Sequence, residues 1–74
     1  MSAQQIFEDL ADRIWGGEYA TGEQLPSYRE LAVLYDVGTT TISVVILLLK
    51  AAGLVEGEVG RGTFVVDELP PRPR

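Results

Sequence analysis

The stretch Leu25-Pro26-Ser27-Tyr28-Arg29-Glu30-Leu31-Ala32 constrains the fold of this 74-residue chain more than any other. Ser27 and Glu30 have the spacing of a capping box, in which the serine oxygen and the glutamate carboxylate each satisfy a backbone amide left unpaired at a helix start. Pro26 biases the residue before it to extended geometry, so no helix runs in from upstream. The spacing predicts a short helix from about Tyr28 to Tyr35, closing near Asp36, with Leu31, Ala32 and Leu34 available to a core. Val37 and Gly38 then turn the chain, and a further helix is expected to start at Thr39.

The flanks extend this pattern. Between Ser2 and Trp15, Ile6, Leu10 and Ile14 recur at i, i+4, i+8 beside Phe7 and Ala11, the spacing of an amphipathic helix. Ser2 with Gln5 makes a second capping box, and Gly16-Gly17 ends the helix. Glu8, Asp9 and Asp12 leave its outer face acidic and solvated. A loop follows to Pro26; Tyr19 is expected to pack on the domain, and Gln24-Leu25 is a candidate short strand.

The segment from Thr39 to Ala52, closed by Gly53, is expected to be the third helix. Its β-branched opening, Thr39 to Ile46, favours strand by propensity. The run is too long for a typical strand, lacks alternation and ends in a helical Leu47–Ala52 stretch before a glycine stop, so helix is the better reading. Leu54–Glu58 and Gly62–Val66 read as two short strands around the turn Val59-Gly60-Arg61-Gly62. Together these elements predict a mainly α domain with a small β-hairpin: a winged helix-turn-helix of three helices and a two-stranded wing. It should occupy residues 1–66, with 67–74 a proline-rich flexible tail or linker stub carrying Arg72 and Arg74. Such a unit usually reads DNA.

Composition narrows the chemistry. The chain has no cysteine and no histidine, which removes disulfides, thiolate nucleophiles, the commonest general base and the commonest metal ligand. No enzyme activity, cofactor or metal is expected. Six basic residues face eleven acidic ones, a net charge of −5. Phosphate neutralisation supplies most nucleic-acid affinity, so any basic face must be small and local. The apolar run Val44 to Leu49 is too short to cross a bilayer. The expected setting is the cytoplasm, with no membrane partner.

The motifs Gly22-Glu23-Gln24-Leu25-Pro26-Ser27, Arg29-Glu30-Leu31-Ala32, Val37 and Thr40-Thr41-Ile42 recur in a known order. They continue with Leu49-Lys50-Ala51-Ala52-Gly53-Leu54-Val55 and Gly60-Arg61-Gly62-Thr63-Phe64-Val65. From Ile6 to Val66 the chain resembles the amino-terminal DNA-binding domain of the GntR family of bacterial transcription regulators. The resemblance implies a third helix in the major groove and a wing tip along the minor groove. It implies contacts from Arg29, Gly38, Thr39, Thr40, Thr41, Ser43, Gly60 and Arg61. Hydroxyls and amides at a helix start suit phosphate. Arg29 suits a phosphate or a guanine edge, and Arg61 a narrow minor groove.

Departures from the family pattern carry information too. Gly38-Thr39 stands where the family usually has Ser or Thr followed by Arg, Ser43 where it usually has Arg, and Gly57-Glu58 where basic residues are common. Binding is therefore expected to be weaker and less directed to guanine. Val44, Leu47 and Leu48 replace polar or charged family residues, so the third helix is apolar nearly all round. That predicts an exposed apolar patch that demands a partner, in the simplest case a second copy around a twofold axis. Two functions follow. The first is a transcription-regulator domain that binds double-stranded operator DNA as a dimer. The alternative is a winged-helix scaffold repurposed for protein interaction or self-assembly, with weak or no DNA binding.

Overall fold

The computed structural model describes residues 1–73. Its elements are α1 (Ala3–Trp15), α2 (Tyr28–Tyr35), α3 (Thr39–Ala51), β1 (Val55–Glu58) and β2 (Gly62–Val65). Both capping boxes form. The Ser2 hydroxyl accepts from the Gln5 amide at 3.2 Å while the Gln5 side chain accepts from the Ser2 amide at 2.8 Å. The Ser27–Glu30 pair is matched in the same way at 3.1 and 2.9 Å.

Leu31 and Ala32 of α2 are buried, but Leu34, expected in the core, is 62% exposed. The helix has eight residues and its inward stripe runs through Leu31, Ala32 and the half-buried Tyr35. Leu34 lies to the side of that narrow stripe and faces solvent. The helix closes at Asp36, as expected. Asp36, not glycine, takes the left-handed conformation, at φ 53° and ψ 51°. A short polar side chain tolerates that region. The Val37 amide donates to the Ala32 carbonyl at 3.0 Å, closing the helix end. The chain then turns 108° into α3, within the range of a helix-turn-helix.

α3 is helical despite its β-branched start. Ile42, Val45, Ile46 and Leu49, at i, i+3, i+4 and i+7, are all essentially inaccessible to solvent. They pack with Ile6, Leu10 and Ile14 of α1 and with Leu31 into one core, completed by Leu54 and Val65. Burying such a stripe stabilises by about 1.5–3 kcal/mol per side chain. That outweighs a helix-propensity deficit of at most about 0.7 kcal/mol per residue.

β1 and β2 pair antiparallel, with Val55 opposite Val65 and Glu58 opposite Gly62. The expected contribution of Gln24-Leu25 takes the form of an isolated bridge, Gln24 opposite Phe64. The Leu25 amide donates to Thr63 at 2.8 Å and the Val65 amide to Glu23 at 2.9 Å. The wing is thus tied to the loop ahead of α2. Tyr19 is half-buried against the core, as expected.

The segment after β2 lies against α1. Trp15 Nε1 donates to the Pro70 carbonyl at 2.9 Å. Arg72 pairs with Asp12, and its guanidinium stands 5.5 Å from the Trp15 ring centre. Arg74, expected on the tail, lies outside the described residues.

Candidate nucleic-acid interface

α1 and α2 begin with their amides satisfied by side chains; α3 does not. Its cap is Gly38, at φ −78° and ψ 161°, and no side chain hydrogen-bonds there. The amides that open α3 therefore remain free, and free amides at a helix start carry partial positive charge. Thr39 and Thr40 are exposed and Thr41 is half-buried. Ser43 is exposed, but its hydroxyl donates back to the Thr39 carbonyl at 3.1 Å.

Charge is distributed unevenly. The chain from Val37 to Val55 contains no carboxylate, although it carries eleven in all. Arg29, exposed on α2, makes no ion pair with any described residue, and neither does Lys50 in the last turn of α3. By contrast, Arg13 bridges Asp9 at 2.9 Å and Glu18 at 2.6 Å. Those two carboxylates hold the Arg13 guanidinium well above its ordinary pKa, Asp9 contributing most.

The wing tip is held in shape. Gly60 has φ 76° and Gly62 φ 119°, both backbone conformations that other residues rarely adopt. Gln24 Nε2 donates to the Arg61 carbonyl at 2.6 Å, and a Cβ at Gly62 would meet that nitrogen at 2.5 Å. Arg61 projects from this tip with 70% of its side chain exposed, paired with Glu58 at 2.9 Å. The guanidinium also lies 5.2 Å from the Phe64 ring centre. An exposed pair of this kind contributes little, so Arg61 can exchange Glu58 for a phosphate.

Two side chains join the wing that the sequence pattern did not single out. Tyr28 and Lys50 line a shallow open groove with Glu58, Arg61 and Thr63. The Lys50 ammonium lies 3.1 Å from where a Cβ on Gly57 would stand. Lys50 is the sole basic residue of α3, which is the signal that could have pointed to it. Of the three residues expected to form an apolar patch, Val44 and Leu47 are 45% and 66% exposed, whereas Leu48 is half-buried.

On the other side of the helix-turn-helix, the Tyr35 hydroxyl donates to Asp9 at 2.7 Å and joins α2 to α1. Tyr35 foremost, then Arg13, holds the Asp9 carboxyl below its ordinary range. Partial burial, with Asp9 adding to it, pushes the Tyr35 phenol up.

A helix-turn-helix followed by a glycine-tipped hairpin defines a winged helix-turn-helix domain. Residues 2–65 match the family model described as bacterial regulatory proteins, gntR family. The chain belongs to the GntR family and is a DNA-binding domain of its transcription-regulator type. It is 41% identical over 64 residues to the uncharacterized HTH-type transcriptional regulator YisV of Bacillus subtilis, covering 86% of this chain and 13% of that protein. It is 37% identical over 67 residues to the Exu regulon transcriptional regulator of Escherichia coli, covering 90% of this chain and 26% of that protein. A solved structure, a GntR family transcriptional regulator from Listeria monocytogenes, superposes with a TM-score of 0.85 at 29% identity, over 89% of this chain and 58% of that one. The chain thus spans about an eighth to a quarter of the length of these two curated relatives. No single helix among the described residues is long and apolar enough to cross a membrane.

Proposed function

We propose that this domain binds operator DNA as a dimer, with α3 in the major groove and the wing tip along the minor groove. Arg29, Gly38, Thr39, Thr40, Thr41, Ser43, Gly60 and Arg61 make the contacts, in a non-enzymatic role exercised in the cytoplasm. The observation that carries this reading is the open amino end of α3 within a carboxylate-free stretch. Phosphate oxygens suit such amides, and the exposed Arg29, which pairs with no described residue, adds a positive charge. With few cations to displace counterions, affinity falls below that of an arginine-rich binder and depends less steeply on salt. Fluorescence anisotropy with palindromic duplexes at low salt tests the assignment. Arg29→Ala and Arg61→Ala should each weaken binding across sequences and reduce the salt slope by about one unit. Unchanged binding in both variants removes these residues from the interface.

A second reading has its own support. Val44, Leu47 and the α2 residues Val33 and Leu34 are exposed aliphatic side chains, as in a scaffold adapted for self-association through α3. Sedimentation of the chain over a range of concentrations tests it. Leu47→Arg should dissociate such an oligomer, and a strict monomer at high concentration removes the reading.

A further inference from the structure

We infer that α3 reads the 5-methyl groups of thymine, with Val44 and Leu47 as specificity-determining residues, so that the domain prefers A·T-rich half-sites to guanine-rich ones. The inference rests on the proposed placement of α3 in the major groove and adds the base class it selects.

Thr40, Val44 and Leu47 stand at i, i+4 and i+7, on one side of α3, and all three are exposed. Ile42, Val45, Ile46 and Leu49 bury the opposite side. With the side that holds Thr40 turned to the bases and α3 lying along the groove, Val44 follows one turn and Leu47 two turns further in on that same side. In the major groove, guanine offers two acceptors that call for a bidentate arginine or lysine, and thymine offers a methyl group that calls for an apolar contact. α3 has no arginine, and its one lysine, Lys50, sits in the last turn beside the wing. The Ser43 hydroxyl is turned back onto the Thr39 carbonyl. The aliphatic groups of Val44 and Leu47 complement thymine and have nothing to offer guanine.

Charge distinguishes DNA from a second copy as the occupant of this face. No carboxylate lies between Val37 and Val55, while all eleven lie outside that stretch. Phosphates repel carboxylates, so a stretch free of them suits a phosphate-walled groove; a contact between two copies gives no reason for all eleven to lie elsewhere.

The test starts from a random duplex pool with a core of roughly 20 base pairs, two helical turns, selected on the full chain. The enriched sequence is then made with thymine and again with uracil, which removes only the methyl groups. The thymine duplex should bind more tightly, by about fourfold for one buried methyl to about fifteenfold for two. In Val44→Ala and Leu47→Ala, both exposed and so compatible with folding, the thymine-to-uracil ratio should fall towards one. Equal affinity of the original chain for the two duplexes overturns the inference while leaving DNA binding intact. A ratio that survives both substitutions also overturns it, because the methyls then act through duplex shape. If Leu47→Ala changes the sedimenting mass and not the ratio, the face belongs to a second copy and the inference fails. If neither duplex binds at low salt, the groove placement of α3 falls, and the inference falls with it.

Discussion

α1 and α3 have the same length, thirteen residues each, and opposite constructions. α1 has its amino end closed by Ser2 and Gln5, Asp9 and Asp12 of its outer face paired with Arg13 and Arg72, and its Trp15 held by the Pro70 carbonyl. α3 opens on a glycine, carries no carboxylate, and leaves Val44 and Leu47 bare. Each is held by a buried aliphatic stripe, so the difference lies in what is left over. The polar and apolar groups of α1 find partners within the chain, which marks it as support. On α3 the opening amides have no side-chain cap and Val44 and Leu47 stay exposed, which is why the proposed contacts fall there.

The comparison can be broken most severely at the stripe that both helices share. Ile46→Ala removes a fully buried side chain between them. A loss of about 2–5 kcal/mol is expected in chemical unfolding, enough to unfold much of so small a domain. A loss well under 1 kcal/mol would mean that α3 is not anchored as described.

The caps come next. Ser27→Ala deletes a closed helix end and should cost about 1 kcal/mol, read by the same titration. Glu30, held below its ordinary pKa first by the Ser27 amide and then by its hydroxyl, should titrate closer to the usual carboxylate value in that variant, as monitored by NMR.

Acid probes the Asp9–Tyr35 link between α1 and α2. The Asp9 carboxyl is lowered in the folded chain from 3.8, so the folded state favours its ionised form. That contribution is complete above the unfolded value and is lost as pH falls below about 4. In Tyr35→Phe the melting temperature should fall less between pH 6 and pH 3 than in the original chain. An equal fall would mean that the hydrogen bond does not contribute.

Gly38→Asp is the smallest and sharpest change. Its backbone is already extended, and an added Cβ meets nothing within 4 Å. A side-chain cap should stabilise by a few tenths of a kcal/mol. It should also weaken DNA binding, because the carboxylate occupies the amides and repels phosphate. Stability and binding that move in the same direction would contradict the contrast between the two helices.

Much of this was legible in the sequence because it is local. A capping box depends on residues three apart, and a glycine after a helix on one backbone angle; Ser2, Ser27, Gly53 and the wing glycines all announced themselves. The GntR motifs extended that reading to the whole fold. The β-branched start of α3 was the hard case, since its propensity pointed to strand and its buried stripe prevailed.

What the sequence determined, then, was where each element starts and stops, because hydrogen bonds and torsions between near neighbours decide that. The inward face of α1 was legible too, in Ile6, Leu10 and Ile14, whereas those of α2 and α3 were settled in full only in three dimensions. Leu34 faces solvent and Leu48 is half-buried because each helix buries only the narrow stripe that meets its neighbours. Gln24 grips Arg61, and Trp15 meets Pro70, across separations of 37 and 55 residues. No pattern along the chain encodes such distant contacts; they exist because the shared core brings those surfaces together.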